Sequence, residues 1–293
     1  MSNINEWTQK TLNFVKEENY LDRLLEIYPA ELLLLRPLPD HVKGEIMRLY
    51  NAREYTKLVI FLLDLKDHPF PIEHPYASLL RYLSNEARTT ILERNSILVE
   101  KLSEILISLG VNNIIRGLER PVDINRVLGT AFKSWVQKKF TSRPFRIVER
   151  CAHILECGQE EICIYAGRDE EIANFVRRYL RLNEPEENFY NRDIIVRIRN
   201  TYIIGEARFL SAYGGSQTRD LENALRFVEY MANIGKDAES KGIKVIGVAL
   251  LDGIAWFHKA YKEKIEKKAV GDIVVMSALF LEDYLLNIFN KIS

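Results

Sequence analysis

The sequence contains little cysteine, and the spacing of its cysteines fits neither a zinc site nor a disulfide framework. Cys151, Cys157 and Cys163 are the three in a chain of 293 residues, and no two of them form the Cys-x₂-Cys pair of a structural zinc site. Their regular spacing is equally unlike that of a small disulfide-rich protein. We therefore expect buried, reduced thiols, as is usual for a cytoplasmic protein.

The sequence also lacks a hydrophobic run of membrane-spanning length. Apolar stretches such as AELLLLRPLP, FLLDL and VVMSALF are far shorter than the roughly 20 residues that a transmembrane helix needs. The N-terminal sequence MSNINEWTQK is polar and does not resemble a signal peptide. These features predict a cytoplasmic protein that does not enter a membrane.

An excess of positive charge is missing as well. Lys plus Arg and Asp plus Glu each number 41, so the formal net charge is zero. Nucleic-acid binders are usually basic, and the balance is a mild argument against that function. It does not exclude DNA binding, because a local basic groove matters more than the total charge.

Length and hydrophobic pattern indicate two domains. Residues 1–123 carry apolar residues at helical spacing, interrupted by a proline-rich loop near residues 68–75. Residues 124–293 alternate helical patterns with short apolar runs, of which Lys244 to Leu251 has the signature of a strand buried on both faces. We predict a mostly helical N-terminal domain over 1–123 and an α/β domain over 124–293.

The stretch DIIVRIRNTYIIGEARFLSAYGGSQ, from Asp193 to Gln217, predicts a β-hairpin. Apolar residues alternate in its first half, and a second strand of similar character follows. With the turn at Asn200-Thr201, Asp193 would lie opposite Arg208, and Glu206 would be one diagonal step away. Glu206 and Arg208 would share a face, because side chains alternate along a strand.

Two carboxylates and a cation on one face of a sheet favour a metal-dependent chemistry. Asp193 and Glu206 would repel each other unless a cation neutralised them. Mg²⁺ is commonly held by one or two carboxylates, water and a substrate phosphate, and it can polarise a phosphoryl oxygen. Arg208 would stabilise charge that develops on the phosphate. This combination is typical of phosphodiester hydrolysis, whereas the alternative is an ordinary strand pair with an Asp193–Arg208 ion pair.

At these residues the chain resembles the PD-(D/E)XK nucleases, and among them type II restriction endonucleases. The block YIIGEARFLSAYGGSQ is similar to a GEAKFL segment followed by Gly-Gly and Gln in one group of these enzymes. Weaker similarities lie in LGTAFKSW, FPIEHPYASLLR and GVALLDGIAW. The resemblance implies an α/β fold with a PD-(D/E)XK nuclease-like mixed β-sheet flanked by helices. It also implies Mg²⁺ as cofactor, double-stranded DNA as substrate and a homodimer acting on palindromic sites.

The resemblance assigns the two acidic metal ligands to Asp193 and Glu206 and places the family's lysine at Arg208. Arginine is a departure, because it stays charged and could hold a phosphate but hardly act as a base. The site would be active in modified form, or its catalytic centre would have weakened. Lys133 and Lys244 are the nearest candidates for a lysine that has moved.

Gln217 and Arg219 follow the hairpin at the start of a predicted helix. Glutamine can read adenine and arginine guanine, and either can bind phosphate, so both are candidate DNA contacts. The alternative is that Gln217 makes a hydrogen bond at the helix start and Arg219 is solvated.

Three functions follow from the sequence. The first is a Mg²⁺-dependent type II restriction endonuclease that cuts double-stranded DNA at a short specific site. The second is another DNA nuclease of the same superfamily, acting in repair or junction resolution. The third is a catalytically inactive module of this fold that binds DNA or protein.

Overall fold

The computed structural model describes residues 4–17, 19–29, 37–65, 67–120, 124–182, 191–240 and 242–292. The chain forms two compact units. One consists of Met1–Ala30 together with Asn125–Ser293, and the other of Glu31–Ile124. In the first unit, helices pack on a β-sheet, whereas in the second the described residues form helices joined by loops and no strand.

The helices, in chain order, are α1 (Glu6–Glu17), α2 (Tyr20–Leu24), α3 (Asp40–Asn51), α4 (Tyr55–Asp64), α5 (Pro75–Tyr82), α6 (Asn85–Arg94), α7 (Ser96–Leu109), α8 (Val111–Glu119), α9 (Ile124–Lys139), α10 (Asp169–Phe175), α11 (Gly215–Glu239), α12 (Lys259–Lys268) and α13 (Leu281–Ile292). The strands are β1 (Phe145–Ile147), β2 (Ile162–Ala166), β3 (Ile194–Ile198), β4 (Thr201–Leu210), β5 (Lys244–Gly253) and β6 (Val274–Met276). Short 3₁₀ turns lie at Cys151–Glu156, Ile254–Trp256 and Ala278–Phe280, and a π-helical turn at Val176–Leu180.

The helical unit contains α3 to α8 and has its own hydrophobic core. Apolar residues on the inner faces of α4, α7 and α8 are fully buried, among them Leu58, Leu62, Leu102, Leu106 and Ile114. Their helical spacing places them on one side of each helix, so that each helix buries one apolar stripe against the others.

The described strands of the α/β unit form one six-stranded mixed sheet, in the order β1-β2-β3-β4-β5-β6. β2, β3 and β4 are antiparallel neighbours, whereas the pairs β1–β2, β4–β5 and β5–β6 are parallel. The predicted strand at Lys244–Leu251 is confirmed as part of β5, and it is buried on both faces. The fold class of the prediction is therefore confirmed at the level of an α/β protein with a mixed sheet.

Helix α11 lies against β5 at a very short separation. A side chain at Gly235 would meet the backbone oxygen of Val245 at 2.7 Å, and one at Gly247 would meet Cβ of Met231 at 2.3 Å. The two glycines therefore allow the helix and the strand to approach each other closely. This packing holds the C-terminal half of α11 against the first residues of β5.

The β3–β4 hairpin is present, but the predicted register is wrong. Arg199 and Asn200 form the turn, and Arg199 adopts a left-handed φ of 53°. Ile198 consequently pairs with Thr201, and Ile194 with Gly205. Continuing this pairing by one residue sets Asp193 opposite Glu206 and not opposite Arg208. The two carboxylates therefore lie across from each other at the end of the hairpin.

The division into units differs from the predicted boundary in the first thirty residues. The predicted boundary residue, 123, lies outside the described residues, but α1 packs on the α/β unit. The Thr8 hydroxyl donates to the carbonyl of Val275 at 2.6 Å, and the Ser277 amide donates to the Thr11 hydroxyl at 3.2 Å. These polar contacts with β6 and with the residue that follows it hold the N-terminal helix to the sheet.

The expectation for the cysteines is wrong for two of the three. Cys157 and Cys163 form a disulfide with a Cα–Cα distance of 5.8 Å, while Cys151 is free and buried as expected. Cys157 ends the 3₁₀ turn before β2, and Cys163 lies inside β2. The intervening loop folds back and brings the two thiols together, which the spacing alone does not reveal.

Within the described ranges, no helix combines the length and the apolar character that are needed to cross a bilayer.

Candidate active site

Asp193 directly precedes β3, and both oxygens of its carboxylate have partners. Oδ2 accepts a hydrogen bond from the backbone amide of Ala207 at 3.0 Å. Oδ1 lies 3.2 Å from the ammonium nitrogen of Lys133, which α9 supplies. The Asp193 side chain is 14% exposed, so the carboxylate is fixed by the neighbouring strand yet open to a small ligand.

Glu206 lies in the middle of β4 and is fully buried. Its Oε1 accepts from both Nε and Nη2 of Arg208, each at 2.8 Å. Its Oε2 is buried and has no hydrogen-bond partner among the described residues. A buried carboxylate oxygen without a partner is costly, and such atoms are rare in folded proteins.

Burial dominates the electrostatics of Glu206 and raises the pKa of its carboxyl to about 7. The charge and hydrogen bonds of Arg208 lower this pKa, whereas the charges of Asp193 and Asp220 raise it. Near neutral pH the carboxyl would therefore be protonated part of the time. A further cation beside Oε2 would favour the ionised form.

A divalent metal ion fits the donors found here. Asp193 and Glu206 supply hard oxygen ligands of the kind that Mg²⁺ prefers. The unpartnered Oε2 of Glu206 offers a free ligand atom, and a cation bound there would lower the pKa that burial raises. The set contains too few protein ligands to enclose the ion fully, which leaves coordination positions for water and substrate.

The structure brings the predicted residues Asp193, Glu206 and Arg208 together, but the partner of Arg208 differs from the expectation. The guanidinium binds Glu206, two residues away on the same face of β4, and not Asp193. Burial lowers the pKa of Arg208, but the charges of Glu206, Asp193 and Asp220 outweigh burial and raise it overall. Arg208 therefore remains a cation at the site.

Gln217 and Arg219 both lie in the first turns of α11. The side-chain oxygen of Gln217 accepts from the Ser211 amide at 3.0 Å, which corresponds to the helix-start hydrogen bond of the alternative interpretation. Arg219 is exposed. The structure thus gives Gln217 a local structural contact and leaves the Arg219 side chain accessible.

Asp252, at the end of β5, is a buried acid that the sequence reasoning did not single out. Its carboxylate accepts from the hydroxyls of Tyr20 at 3.0 Å, Tyr28 at 3.3 Å and Ser277 at 2.5 Å. Burial raises the pKa of Asp252 to about 6, although these hydrogen bonds lower it. Burial, followed by the charges of Asp252 and Asp193, raises the pKa of Tyr28. The network therefore ties α2 and the residues just after it to the end of β5.

We expect Asp252 to make the folded protein less stable as the pH rises from about 4 to about 6. Its folded pKa of about 6 lies above the ordinary value of 3.8, so the folded state holds this proton more tightly than the unfolded state does. Stability from this group is fully present below the lower value and is lost as the pH passes the higher one. The difference between the folded and the ordinary pKa of Asp252 corresponds to at most about 3 kcal/mol in the free energy of unfolding.

Urea unfolding at several pH values measures this effect. Between about pH 4 and pH 6, the free energy of unfolding of Asp252→Asn should fall less, or rise more, than that of the parent protein. The contribution of Glu206 is common to both proteins and cancels in the comparison. Asp22→Asn, at an exposed position of α2, is the control and should keep the parent's pH dependence. Equal slopes for Asp252→Asn and the parent would contradict the prediction.

A comparison with known protein families gives one match over almost the whole chain. The model of the family described as Tsp45I type II restriction enzyme matches residues 5–288. No curated protein and no solved structure matches the chain.

Proposed function

Because the chain belongs to the Tsp45I type II restriction enzyme family, and such enzymes are site-specific endonucleases, we propose that it is a Mg²⁺-dependent hydrolase of phosphodiester bonds. Its substrate is double-stranded DNA with a short specific sequence. The observation that carries the metal-dependent mechanism is the buried, unpartnered Oε2 of Glu206, at the end of the hairpin where Asp193 lies across from it.

Asp193 and Glu206 would hold the metal ion. The donor atoms would be the unpartnered Oε2 of Glu206 and Oδ1 of Asp193, which Lys133 contacts, since Oδ2 of Asp193 is engaged by the Ala207 amide. When bound, Mg²⁺ supplies Lewis-acid polarisation of the phosphate and lowers the pKa of a bound water. The two carboxylates would hold the ion at the end of the hairpin, where the Asp193 side chain is 14% exposed.

Arg208 has two roles in this proposal, and neither requires it to lose a proton. Its charge and hydrogen bonds lower the pKa of Glu206 and so favour the ionised ligand. Its side chain is 22% exposed, so part of the guanidinium can face the substrate and stabilise charge on the phosphate. An active site with arginine in place of the lysine can therefore still work in this proposal.

The fold and the hairpin support a PD-(D/E)XK nuclease-like architecture for the α/β unit. Both acids lie on the β3–β4 hairpin, and α11 leads from it to β5, which runs parallel to β4. We further propose that the enzyme acts as a homodimer, since a two-fold axis matches a palindromic DNA site. Arg219, exposed at the start of α11, is the better of the two candidate DNA contacts.

Incubation of the protein with plasmid DNA tests the proposed function. With Mg²⁺ we expect discrete bands whose number depends on the plasmid sequence, and with EDTA we expect intact DNA. Structure-dependent cutting would favour a repair or junction-resolving nuclease. Intact plasmid in Mg²⁺ together with a gel shift would show a binding module and would refute the proposal.

A further inference from the structure

Lys133 places a cation on one of the two carboxylates to which the metal is assigned. Its ammonium nitrogen lies 3.2 Å from Oδ1 of Asp193, and the two side chains are 29% and 14% exposed. The backbone of α9 is held firmly here, because Phe132 and Val136 on either side of Lys133 are buried. The lysine is therefore aimed at Asp193 by a helix that packs in the core.

The position of Lys133 matters because Asp193 has one oxygen to offer. Oδ2 is committed to the amide of Ala207, at 3.0 Å, so a metal ion would bind through Oδ1. Lys133 occupies that same oxygen. An ammonium group and a divalent ion that compete for one carboxylate oxygen repel each other, so both cannot be held there at full strength.

The second cation of the site, Arg208, is held differently. Two of its nitrogens bind one oxygen of Glu206, which is fully buried. Lys133, in contrast, contacts one oxygen of the partly exposed Asp193 carboxylate, and its ammonium group sits at the end of a flexible four-carbon stem. Of these two cations, Lys133 is the one that can change partner without unpacking the sheet.

We propose that Lys133 occupies the metal position at Asp193 before the ion arrives and is exchanged for it. The entering divalent ion displaces the ammonium from Oδ1, and the released ammonium turns to an oxygen of the DNA phosphate beside the metal. No covalent bond forms or breaks, and no proton moves in this exchange. Metal binding would thereby deliver a positive charge to the substrate. The proposal rests on the proposed function, because it assumes that Asp193 binds the metal.

Calcium titration of the DNA-free protein tests the exchange separately from cleavage. Lys133→Met should bind Ca²⁺ more tightly, on the order of tenfold, because the competing ammonium is gone. The same variant should cut plasmid DNA in Mg²⁺ at least about 10²-fold more slowly, because the phosphate has lost a cation. A structural role alone would lower activity without strengthening metal binding.

Matched variants complete the experiment. Lys138→Met removes an exposed lysine of the same helix and should leave calcium affinity and cleavage unchanged. Lys133→Gln repeats the test with a polar side chain in case the methionine variant does not fold. Unchanged or weaker calcium binding in both Lys133 variants would overturn the exchange, and so would unchanged cleavage.

Asp193→Asn separates failure of the exchange from failure of the proposed function. If it loses calcium binding while the Lys133 variants bind as the parent does, the metal site stands and the exchange is refuted. If it binds calcium as well as the parent, or if the parent binds none, the metal assignment and the exchange both fall.

Discussion

Replacing Asp193 by asparagine, or Glu206 by glutamine, should abolish DNA cleavage in Mg²⁺ while specific DNA binding persists. Each change removes one of the two carboxylates assigned to the metal and keeps the shape of the side chain. We expect cleavage to fall by at least about 10³-fold, the upper end of the cost of losing one electrostatic stabiliser. Initial rates on a plasmid substrate, together with gel shifts in Ca²⁺, measure the two effects.

The control for these two variants is Asp237→Asn, at an exposed position near the end of α11. It changes the same charge far from the hairpin in sequence and should cut like the parent protein. Glu206→Gln also replaces one buried carboxylate oxygen by an NH₂ group, which can change the stability of the fold. A melting curve of this variant should therefore accompany the activity measurement. An Asp193→Asn protein with full activity would show that the metal is bound elsewhere.

Replacing Arg208 by alanine should slow cleavage by about 10²-fold or more at neutral pH. The variant loses a cation near the phosphate, and it also loses the group that lowers the pKa of Glu206. That pKa, already raised to about 7 by burial, should rise further, so that less of the ligand is ionised near pH 7. The loss in rate should therefore be smaller at alkaline pH than at neutral pH.

Two comparisons separate the roles of Arg208. Arg208→Lys keeps a positive charge and should keep or raise activity. Lysine is the residue found at this position in the PD-(D/E)XK nucleases that the sequence resembles. If Arg208→Ala slows cleavage equally at every pH, Arg208 acts on the phosphate alone. If the alanine variant cuts as fast as the parent, the arginine is only a structural partner of Glu206.

The hairpin shows what the sequence could and could not predict. The alternation of apolar residues predicted both strands, and the spacing of the acids predicted that Asp193 and Glu206 lie at one end of the hairpin. The register depends on which two residues form the turn, and here Arg199 adopts a left-handed conformation that is uncommon for arginine. Nothing in the amino-acid pattern marks that choice, so the predicted partner of Asp193 was wrong.

Contacts between segments that are far apart in the sequence could not be predicted either. Lys133 was a sequence candidate for a displaced lysine, but no spacing rule connects it with Asp193, and only the packing of α9 brings them together. Asp252 gave a weak signal, a single acid at the end of the apolar run VIGVALL. Its partners Tyr20 and Tyr28 lie more than 200 positions earlier, so the pattern around Asp252 could not identify them.

The N-terminal residues have a consequence for the order in which this protein can fold during synthesis. The amide of Asn5 donates to the carbonyl of Ala269, and Thr8 donates to the carbonyl of Val275, so these two contacts cannot form until residues 269–275 have left the ribosome. Glu31–Ile124, whose core lies within its own segment, can close much earlier. The α/β unit, which carries the proposed active site, is therefore completed only after β6 has been made.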